Sequence, residues 1–232
     1  MSLAGKLIAF VGKRAARRFD RACKDPGGVQ TRLLLDMVRS NAGTEYGKRY
    51  NFAAIRTVAD FQRNVPVITY EDIKDDMMRV AAGTSHVFTA EDPVMFAQTS
   101  GTTGDPKFVP VTPTDRGTAH TDQMRTWLYH AQKAHPGILD HKIVSLVSPA
   151  IEGYTESGLP FGSTSGHIYK NMPGIVQRAY SIPYRAFEIE DYQAKYYTIM
   201  RISLEHDVRF LATANPSSIL KLCDKADANA DQ

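Results

Sequence analysis

The sequence predicts a protein of the α/β class, in which short strands alternate with helices. Apolar runs typical of buried strands are followed by stretches with helical periodicity, and turn or capping residues separate them. The clearest unit is VRFLAT at 208–213, followed by Asn215 as a helix cap and Pro216 at the first helical position. The composition, 43% hydrophobic and 23% charged, is ordinary for a folded domain.

The N-terminal region begins with a basic helix. Apolar residues recur at helical spacing over 3–22, and the first 21 residues contain six Lys or Arg residues against one acidic residue. We therefore treat 1–28 as a basic N-terminal helix segment, which the turn sequence DPGG at 25–28 ends. Because its apolar stripe is narrow, packing against its own domain is favoured over binding to a membrane surface.

Two capping signatures predict the next helices. Thr57 precedes Asp60 by three residues and Thr69 precedes Asp72 by three, which is the spacing of a capping box. They indicate helices at about 58–64 and 70–82, after an earlier helix at about 29–41, and Gly83 is expected to end the second. Later periodicities predict strands at 94–98, 107–112, 142–148 and 208–213, helices at 114–134 and 190–206, and a long loop at 149–174.

A loop rich in glycine and hydroxyl groups joins the strands at 94–98 and 107–112, so that 94–112 forms a hairpin. Gly101 and Gly104 permit a close approach of backbone N–H groups, hydroxylated residues add donors, and Lys107 adds a positive charge. This combination is typical of phosphate binding. It does not fit a Walker A loop, because Phe108 stands where Ser or Thr would hold magnesium, nor does it contain the Gly-x-Gly-x-x-Gly of dinucleotide-binding folds.

The sequence TSGTTGDPK at 99–107 resembles the phosphate-binding signature of the adenylate-forming superfamily, which includes acyl-CoA synthetases, luciferases and nonribosomal adenylation domains. From about Thr44 to Leu222, the stretches YGKRYNF, FQRNVPVITYEDI, PFGSTSG and ATANPSSIL resemble the N-terminal part of the auxin-responsive acyl acid amido synthetase family, bacterial branch. The resemblance implies that residues 1–232 form the N-terminal part of a large α/β domain, with mixed sheets flanked by helices. The family's C-terminal lid domain and its elements that grip adenine and ribose have no counterpart here.

The resemblance implies a ligase reaction in two steps. ATP, with Mg²⁺, activates a carboxylic acid as an acyl-adenylate, and an amine, often an amino acid, then takes the acyl group to form an amide. Lys107 would be the catalytic residue. The stretch at 162–166 would lie close to the nucleotide or the acyl substrate, although it could equally be a flexible surface loop. The nucleotide-binding residues that the resemblance implies are Thr99, Ser100, Gly101, Thr102, Thr103, Gly104, Ser163, Ser165 and Gly166.

Two other functions stay open. A thioester-forming acyl-CoA ligase would contain the same loop, and a truncated chain could act as a non-catalytic binding module through its basic N-terminal helix. The family elements missing from the chain predict an incomplete fragment that does not turn over alone and that self-associates through an open sheet edge.

The charge and the cysteine content of the sequence limit which partners are expected. The net charge of +3 gives no argument for nucleic acid, and Cys23, Cys223 and the scattered histidines predict no metal held by the protein. No apolar run reaches membrane-spanning length, so a cytoplasmic location is expected.

Overall fold

A computed structural model describes residues 3–98, 107–115 and 120–230, with side chains from Lys6 onward. The α/β class is confirmed. The helices are α1 (Leu3–Ala22), α2 (Pro26–Ser40), α3 (Glu45–Arg49), α4 (Val58–Asn64), α5 (Lys74–Ala81), α6 (His120–Ala134), α7 (Thr164–Lys170), α8 (Gly174–Gln177), α9 (Tyr192–Leu204) and α10 (Ser217–Ala228). The strands are β1 (Met95–Gln98), β2 (Phe108–Val111), β3 (Lys142–Leu146), β4 (Gly153–Tyr154), β5 (Pro160–Gly162) and β6 (Val208–Thr213).

The chain divides into two compact units. Unit 1 comprises Met1–Ala16, Asp122–Glu152 and Gly162–Gln232. Unit 2 comprises Arg17–Thr121 and Gly153–Phe161. The sequence contained no composition shift that predicted this division, because each unit is assembled from segments that are distant along the chain.

Local capping chemistry explains the helix starts of unit 2. The Thr57 hydroxyl accepts from the Asp60 N–H at 3.1 Å and the Asp60 carboxylate accepts from the Thr57 N–H at 2.9 Å, so α4 has the predicted capping box and the predicted bounds. The helix break predicted at DPGG is present, because α1 ends at Ala22 and α2 begins at Pro26. The Asp25 carboxylate accepts from the Gly28 N–H at 3.0 Å and Pro26 occupies the first turn, so this sequence starts α2.

The second capping signature, Thr69 with Asp72, makes hydrogen bonds other than those predicted. The Asp72 carboxylate accepts from the N–H of Thr69 at 2.7 Å and from its hydroxyl at 2.8 Å, so the hydroxyl donates instead of capping a helix. A 3₁₀ turn at Glu71–Ile73 therefore precedes α5. Gly83 follows α5 with φ of 103°, the left-handed conformation that commonly ends a helix.

The sheet that includes the hairpin has the strand order β2-β1-β5-β4. Strands β1 and β2 pair antiparallel, with Gln98 opposite Phe108 and Met95 opposite Val111. Phe96 is fully buried under this sheet and packs with Met77, Val80 and Val87. These contacts hold β1 and β2, the two strands that flank 99–107, on a packed core.

Unit 1 is built around the parallel strands β3 and β6. Its core includes Ile143 and Val144 of β3, the fully buried Phe187, and Ile199 of α9. The prediction that β6 is buried on both faces is wrong: half-buried and exposed positions alternate over 208–211, none of its six residues is fully buried, and Leu211 is 45% exposed. Among the described residues β6 pairs with β3 in a two-stranded sheet.

The prediction of a long loop at 149–174 is also wrong. It contains the antiparallel pair β4 and β5, closed by a hydrogen bond from the Thr155 N–H to the Leu159 carbonyl at 2.9 Å, and then helix α7. These elements are two to seven residues long, too short to leave a periodicity in the sequence.

Helix α1 ends at Ala22, so the basic segment drawn at 1–28 includes the start of α2. Ile8, Ala15 and Ala16 are buried on its apolar stripe, whereas Phe10 is 79% exposed. Throughout the described ranges, no helix has the length and apolar character that crossing a membrane requires.

A charge cluster joins α3 to α5 within unit 2. Arg79 donates to Glu45 at 2.8 and 2.9 Å and to Asp76 at 2.9 Å, and Arg49 donates to Asp76 at 2.9 Å. The hydrogen bond from Arg79 lowers the pKa of Glu45. Partial burial acts to raise the pKa of Asp76, but the hydrogen bonds from Arg49 and Arg79 outweigh it and the pKa is lowered.

These lowered pKa values predict a loss of stability in acid. Because the carboxylates bind protons less readily in the folded state, their stabilisation is present above their ordinary pKa values of 4.5 and 3.8 and is lost as the pH falls through the lower folded values. The melting temperature should fall between about pH 6 and pH 3 more steeply in the wild type than in Arg79→Met. The control is Arg201→Met, which removes a single ion pair with Glu205 at 3.7 Å. Equal pH slopes for wild type and Arg79→Met would contradict the role of the cluster.

Candidate functional site

The phosphate-loop prediction falls on the connection between β1 and β2. Gln98 and Phe108 are register partners, so the nine residues between them span two paired strand ends. The predicted residues Thr99 to Gly104 lie outside the described part of the chain. Lys107, the predicted catalytic residue, is described and immediately precedes β2.

Lys107 lies beside an aromatic residue that the sequence analysis did not select. Its Nζ atom is 5.2 Å from the ring centroid of Tyr70, within the range of a cation–π interaction. The Tyr70 hydroxyl accepts a hydrogen bond from the Phe108 N–H at 3.1 Å. Tyr70 thus contacts the residue that ends the loop and the residue that begins β2.

The second predicted stretch forms the start of a helix in unit 1. The Ser163 hydroxyl accepts from the Gly166 N–H at 3.3 Å and caps α7, and the hydroxyl oxygens of Ser163 and Ser165 are 2.8 Å apart. The Ser163 N–H also donates to the Pro149 carbonyl at 3.0 Å. This stretch is therefore ordered helical structure, and the flexible-loop alternative does not hold.

Gly166 is buried where the chain after β3 passes close to α7. A Cβ atom at this position would lie 2.0 Å from the Ser148 carbonyl oxygen, so only glycine fits without a shift of the backbone. The close contact brings the start of α7 next to the carboxyl end of β3. Ser163, Ser165 and Gly166 are consequently held at the strand end, where α/β folds commonly bind ligands.

A cavity of about 190 Å³ lies at this edge of unit 1. Its lining includes Ser148, after the end of β3, and Asn215, after the end of β6. The buried Phe187 and Ile199 contribute to its apolar part, and Ser165 is the predicted site residue found in the lining among the residues that the structure describes. Ligand cavities for drug-sized molecules have volumes of about 300–1,000 Å³, so this cavity suits a smaller ligand.

The polar side of the cavity is positively charged. Lys195 is the charged side chain among the described residues that line it, and no acidic side chain is among them. Lys221 donates to the hydroxyl of the lining residue Tyr192, and this hydrogen bond lowers the pKa of Tyr192. The Tyr196 hydroxyl donates to the Ser218 hydroxyl at 3.3 Å. The arrangement favours a small ligand with an anionic group and an apolar part.

Residue type and spacing in the sequence predicted Lys107 and Ser165 as site residues but did not predict Tyr70, Lys195 or the cavity. Tyr70 lies in the stretch FQRNVPVITYEDI, which contributed to the family resemblance but was assigned no role. Lys195 belongs to a helix whose periodicity explained its apolar residues only. No group of three or more His, Cys, Asp or Glu residues that could hold a metal ion occurs among the residues that the structure describes.

Comparison with known proteins supports the family resemblance. Residues 15–232 match the family described as "GH3 family N-terminal domain". The chain is 26% identical over 216 residues to indole-3-acetic acid-amido synthetase GH3.4 of Arabidopsis thaliana, covering 90% of this chain and 36% of that protein. It is 26% identical over 169 residues to jasmonoyl–L-amino acid synthetase JAR4 of Nicotiana attenuata, covering 72% of this chain and 29% of that protein.

The solved structure of GH3.15 acyl acid amido synthetase has the same fold, with a TM-score of 0.74 at 22% identity, and the match covers 92% of this chain and 38% of that one. The chain thus spans under two fifths of the length of each of these proteins. The relatives named here are plant proteins, so the bacterial branch suggested by the sequence is not borne out.

The close packing at Gly166 predicts a specific loss of stability. Gly166→Ala should lower the free energy of unfolding by about 1–3 kcal/mol, because the new methyl group meets a backbone carbonyl that cannot move aside freely. Gly174→Ala is the matched control, since a Cβ atom there has no neighbour within 4 Å. Chemical denaturation of both variants measures the difference. Equal stabilities would mean that α7 does not pack on the Ser148 carbonyl.

Proposed function

The chain belongs to the GH3 family, whose N-terminal domain its residues 15–232 match, and from this membership we propose that it supplies the phosphate-binding part of an ATP-dependent acyl acid amido synthetase. The observation that supports this most is the sequence SGTTGDPK between two strands that pair at Gln98 and Phe108. The names of the relatives, an indole-3-acetic acid-amido synthetase and a jasmonoyl–L-amino acid synthetase, support the reaction class.

In the proposed first step, an oxygen of the acid's carboxylate attacks the α-phosphorus of ATP. A new carboxyl–phosphorus bond forms while the bond from the α-phosphorus to the bridging oxygen breaks, and pyrophosphate leaves with the electron pair. The positive charge of Lys107 and the backbone N–H groups of the loop would stabilise the charge that develops on pyrophosphate. A magnesium ion would arrive with the ATP phosphates, and we assign no residue of this chain to it.

In the proposed second step, an amine nitrogen attacks the acyl carbon and a carbon–nitrogen bond forms. The bond from the acyl carbon to the phosphate oxygen breaks, AMP leaves with the electron pair, and the nitrogen loses a proton to the solvent. An amino acid acceptor would keep its own carboxylate unchanged through this step, whereas the carboxylate of the acid substrate must reach the phosphorus. A lysine can therefore hold the acceptor's carboxylate throughout the reaction. The small cavity of unit 1, with Lys195 and without an acidic side chain in its described lining, suits that acceptor.

The function is tested by acid-dependent exchange of labelled pyrophosphate into ATP. The protein translated from the complete reading frame is compared with residues 1–232 alone, and carboxylic acids are supplied one at a time. Exchange by the former and none by the latter is expected. Trapping the acyl group with amino acids in parallel with coenzyme A then separates amide formation from thioester formation, and a thioester product would replace our proposal with the acyl-CoA ligase.

In the protein translated from the complete reading frame, Lys107→Ala should lower the exchange rate by at least about 100-fold, as expected when one group that stabilises the transition-state charge is removed. The melting temperature should stay within about 1–2 °C of wild type, because a partly exposed lysine contributes little to stability. The control is Lys133→Ala, which removes an exposed lysine from α6. An exchange rate equal to that of the control would remove Lys107 from the mechanism.

Lys195→Met should raise the KM for the amino acid by about tenfold, the effect of one lost charged contact, while leaving the pyrophosphate exchange unchanged. Exchange requires the acid and ATP but no amine, so the two assays separate the substrates. Lys133→Met serves as the control for the loss of a lysine. A fall in exchange instead would assign the cavity to the acid or to the nucleotide.

A further inference from the structure

The geometry points to a positioning role for Tyr70, which we propose holds Lys107 in the orientation that the phosphates of ATP require. The proposal rests on the proposed function of the loop and adds a residue to it. Two independent contacts support the proposal: one between the Tyr70 hydroxyl and the backbone of β2, and one between the Tyr70 ring and the side chain of Lys107.

The hydroxyl contact fixes the backbone next to Lys107. The Tyr70 hydroxyl accepts from the Phe108 N–H at 3.1 Å, across 38 positions of sequence. The Phe108 ring is itself packed, with centroids 5.5 Å from Phe96 and 5.2 Å from Phe161. Because Phe108 is held on both its backbone and its ring, the position from which the Lys107 side chain projects is also defined.

The ring contact restricts the Lys107 side chain. Its Nζ atom lies 5.2 Å from the Tyr70 ring centroid, where the electron-rich face attracts an ammonium group. A ring face adds no full negative charge beside the lysine, unlike a carboxylate, so the contact does not neutralise the charge offered to a phosphate. It also removes rotamer freedom from a long side chain before a ligand binds, which lowers the entropic cost of binding.

Tyr70 is held by its own neighbours. The Asp72 carboxylate accepts from both the N–H and the hydroxyl of Thr69, and the Ile73 N–H donates to the Tyr70 carbonyl at 3.1 Å. The Tyr70 side chain packs against the core cluster that contains Met77 and Phe96. The residue therefore projects from a defined turn, as a group that orients another side chain must.

A second tyrosine makes the same pair of contacts and provides a matched control. In unit 1, the Tyr184 hydroxyl accepts from the Ala150 N–H at 2.7 Å, and Lys170 Nζ lies 5.1 Å from the Tyr184 ring centroid. Substitution of Tyr184 removes an equivalent hydrogen bond and an equivalent cation–π contact. It therefore reproduces the structural cost of changing Tyr70 without altering the surroundings of Lys107.

The test is a double-mutant cycle on residues 1–232, with inorganic pyrophosphate as the probe and ³¹P NMR titration as the measurement. Tyr70→Leu should weaken pyrophosphate binding about threefold to fivefold, the size expected from a lost cation–π contact together with the lost preorganisation. Tyr70→Phe, which keeps the ring, should weaken it about twofold or less. In the Lys107→Ala background, Tyr70→Leu should have no further effect, because the two residues act as one unit. Tyr184→Leu and Tyr184→Phe should leave pyrophosphate affinity unchanged.

Reductive ¹³C-dimethylation of lysines gives a readout that does not depend on ligand binding. The Lys107 methyl signal, identified by its loss in Lys107→Ala, should be shifted upfield by the Tyr70 ring in the wild type and in Tyr70→Phe, but not in Tyr70→Leu. The same spectra report whether each variant is folded.

The outcomes separate this inference from the proposed function. If Lys107→Ala does not weaken pyrophosphate binding, the proposed role of the loop fails. If Lys107→Ala weakens it but Tyr70→Leu does not, or if Tyr70→Leu weakens it equally in the Lys107→Ala background, only the positioning role of Tyr70 is overturned. An effect of Tyr184→Leu on affinity as large as that of Tyr70→Leu would also overturn it, since the loss would then reflect general destabilisation.

Discussion

The antiparallel pairing of Gln98 with Phe108 is the constraint on which the candidate phosphate site depends. It fixes the distance between the two residues that flank a nine-residue connection, so the connection leaves and re-enters the sheet on paired strands. The buried Phe96 and its contact with Phe108 tie this pairing to the core of unit 2. A loop whose ends were mobile would have to be ordered by each ligand at a cost in conformational entropy. Because the flanking strands are ordered when the sheet folds, part of this conformational entropy is already lost before a ligand binds.

Unit 1 solves a related problem in another way. Its candidate site lies at the carboxyl ends of two parallel strands, where the chain leaves the sheet and backbone polar groups are free to turn toward a ligand. Ser148 and Asn215 each lie two residues after the end of β3 or β6, and α7 is brought close by the absence of a side chain on Gly166. Apolar residues such as Phe187 close one side of the cavity and polar residues surround the other, which is the usual distribution in small-molecule sites.

The sequence predicted the elements whose causes are local. The start of α4 follows from a capping box between Thr57 and Asp60, and β6 coincides with the short, mainly apolar stretch VRFLAT, so the bounds of both elements agree with the prediction. The elements within 149–174 were not predicted from the sequence. Strands β4 and β5 and helix α7 are stabilised by contacts with other segments, such as the contact between Gly166 and Ser148. In the candidate site, residue type and spacing identified Lys107 and Ser165. Tyr70 could not be identified in this way, since its significance depends on a hydrogen bond to a residue 38 positions away. The roles of Thr99 to Gly104 stay predictions from sequence.

The hydroxyl groups of Tyr70 and Tyr184 have a consequence for comparing members of this family. Each is a single oxygen atom that receives a backbone N–H from a distant segment. At identities of 22–26%, an exchange of tyrosine for phenylalanine is scored as conservative, because ring size and apolar area are retained. In this fold that exchange removes one oxygen and leaves a main-chain donor without its acceptor. Two homologues that look equivalent at these columns would therefore differ in how firmly a distant segment of their backbone is anchored.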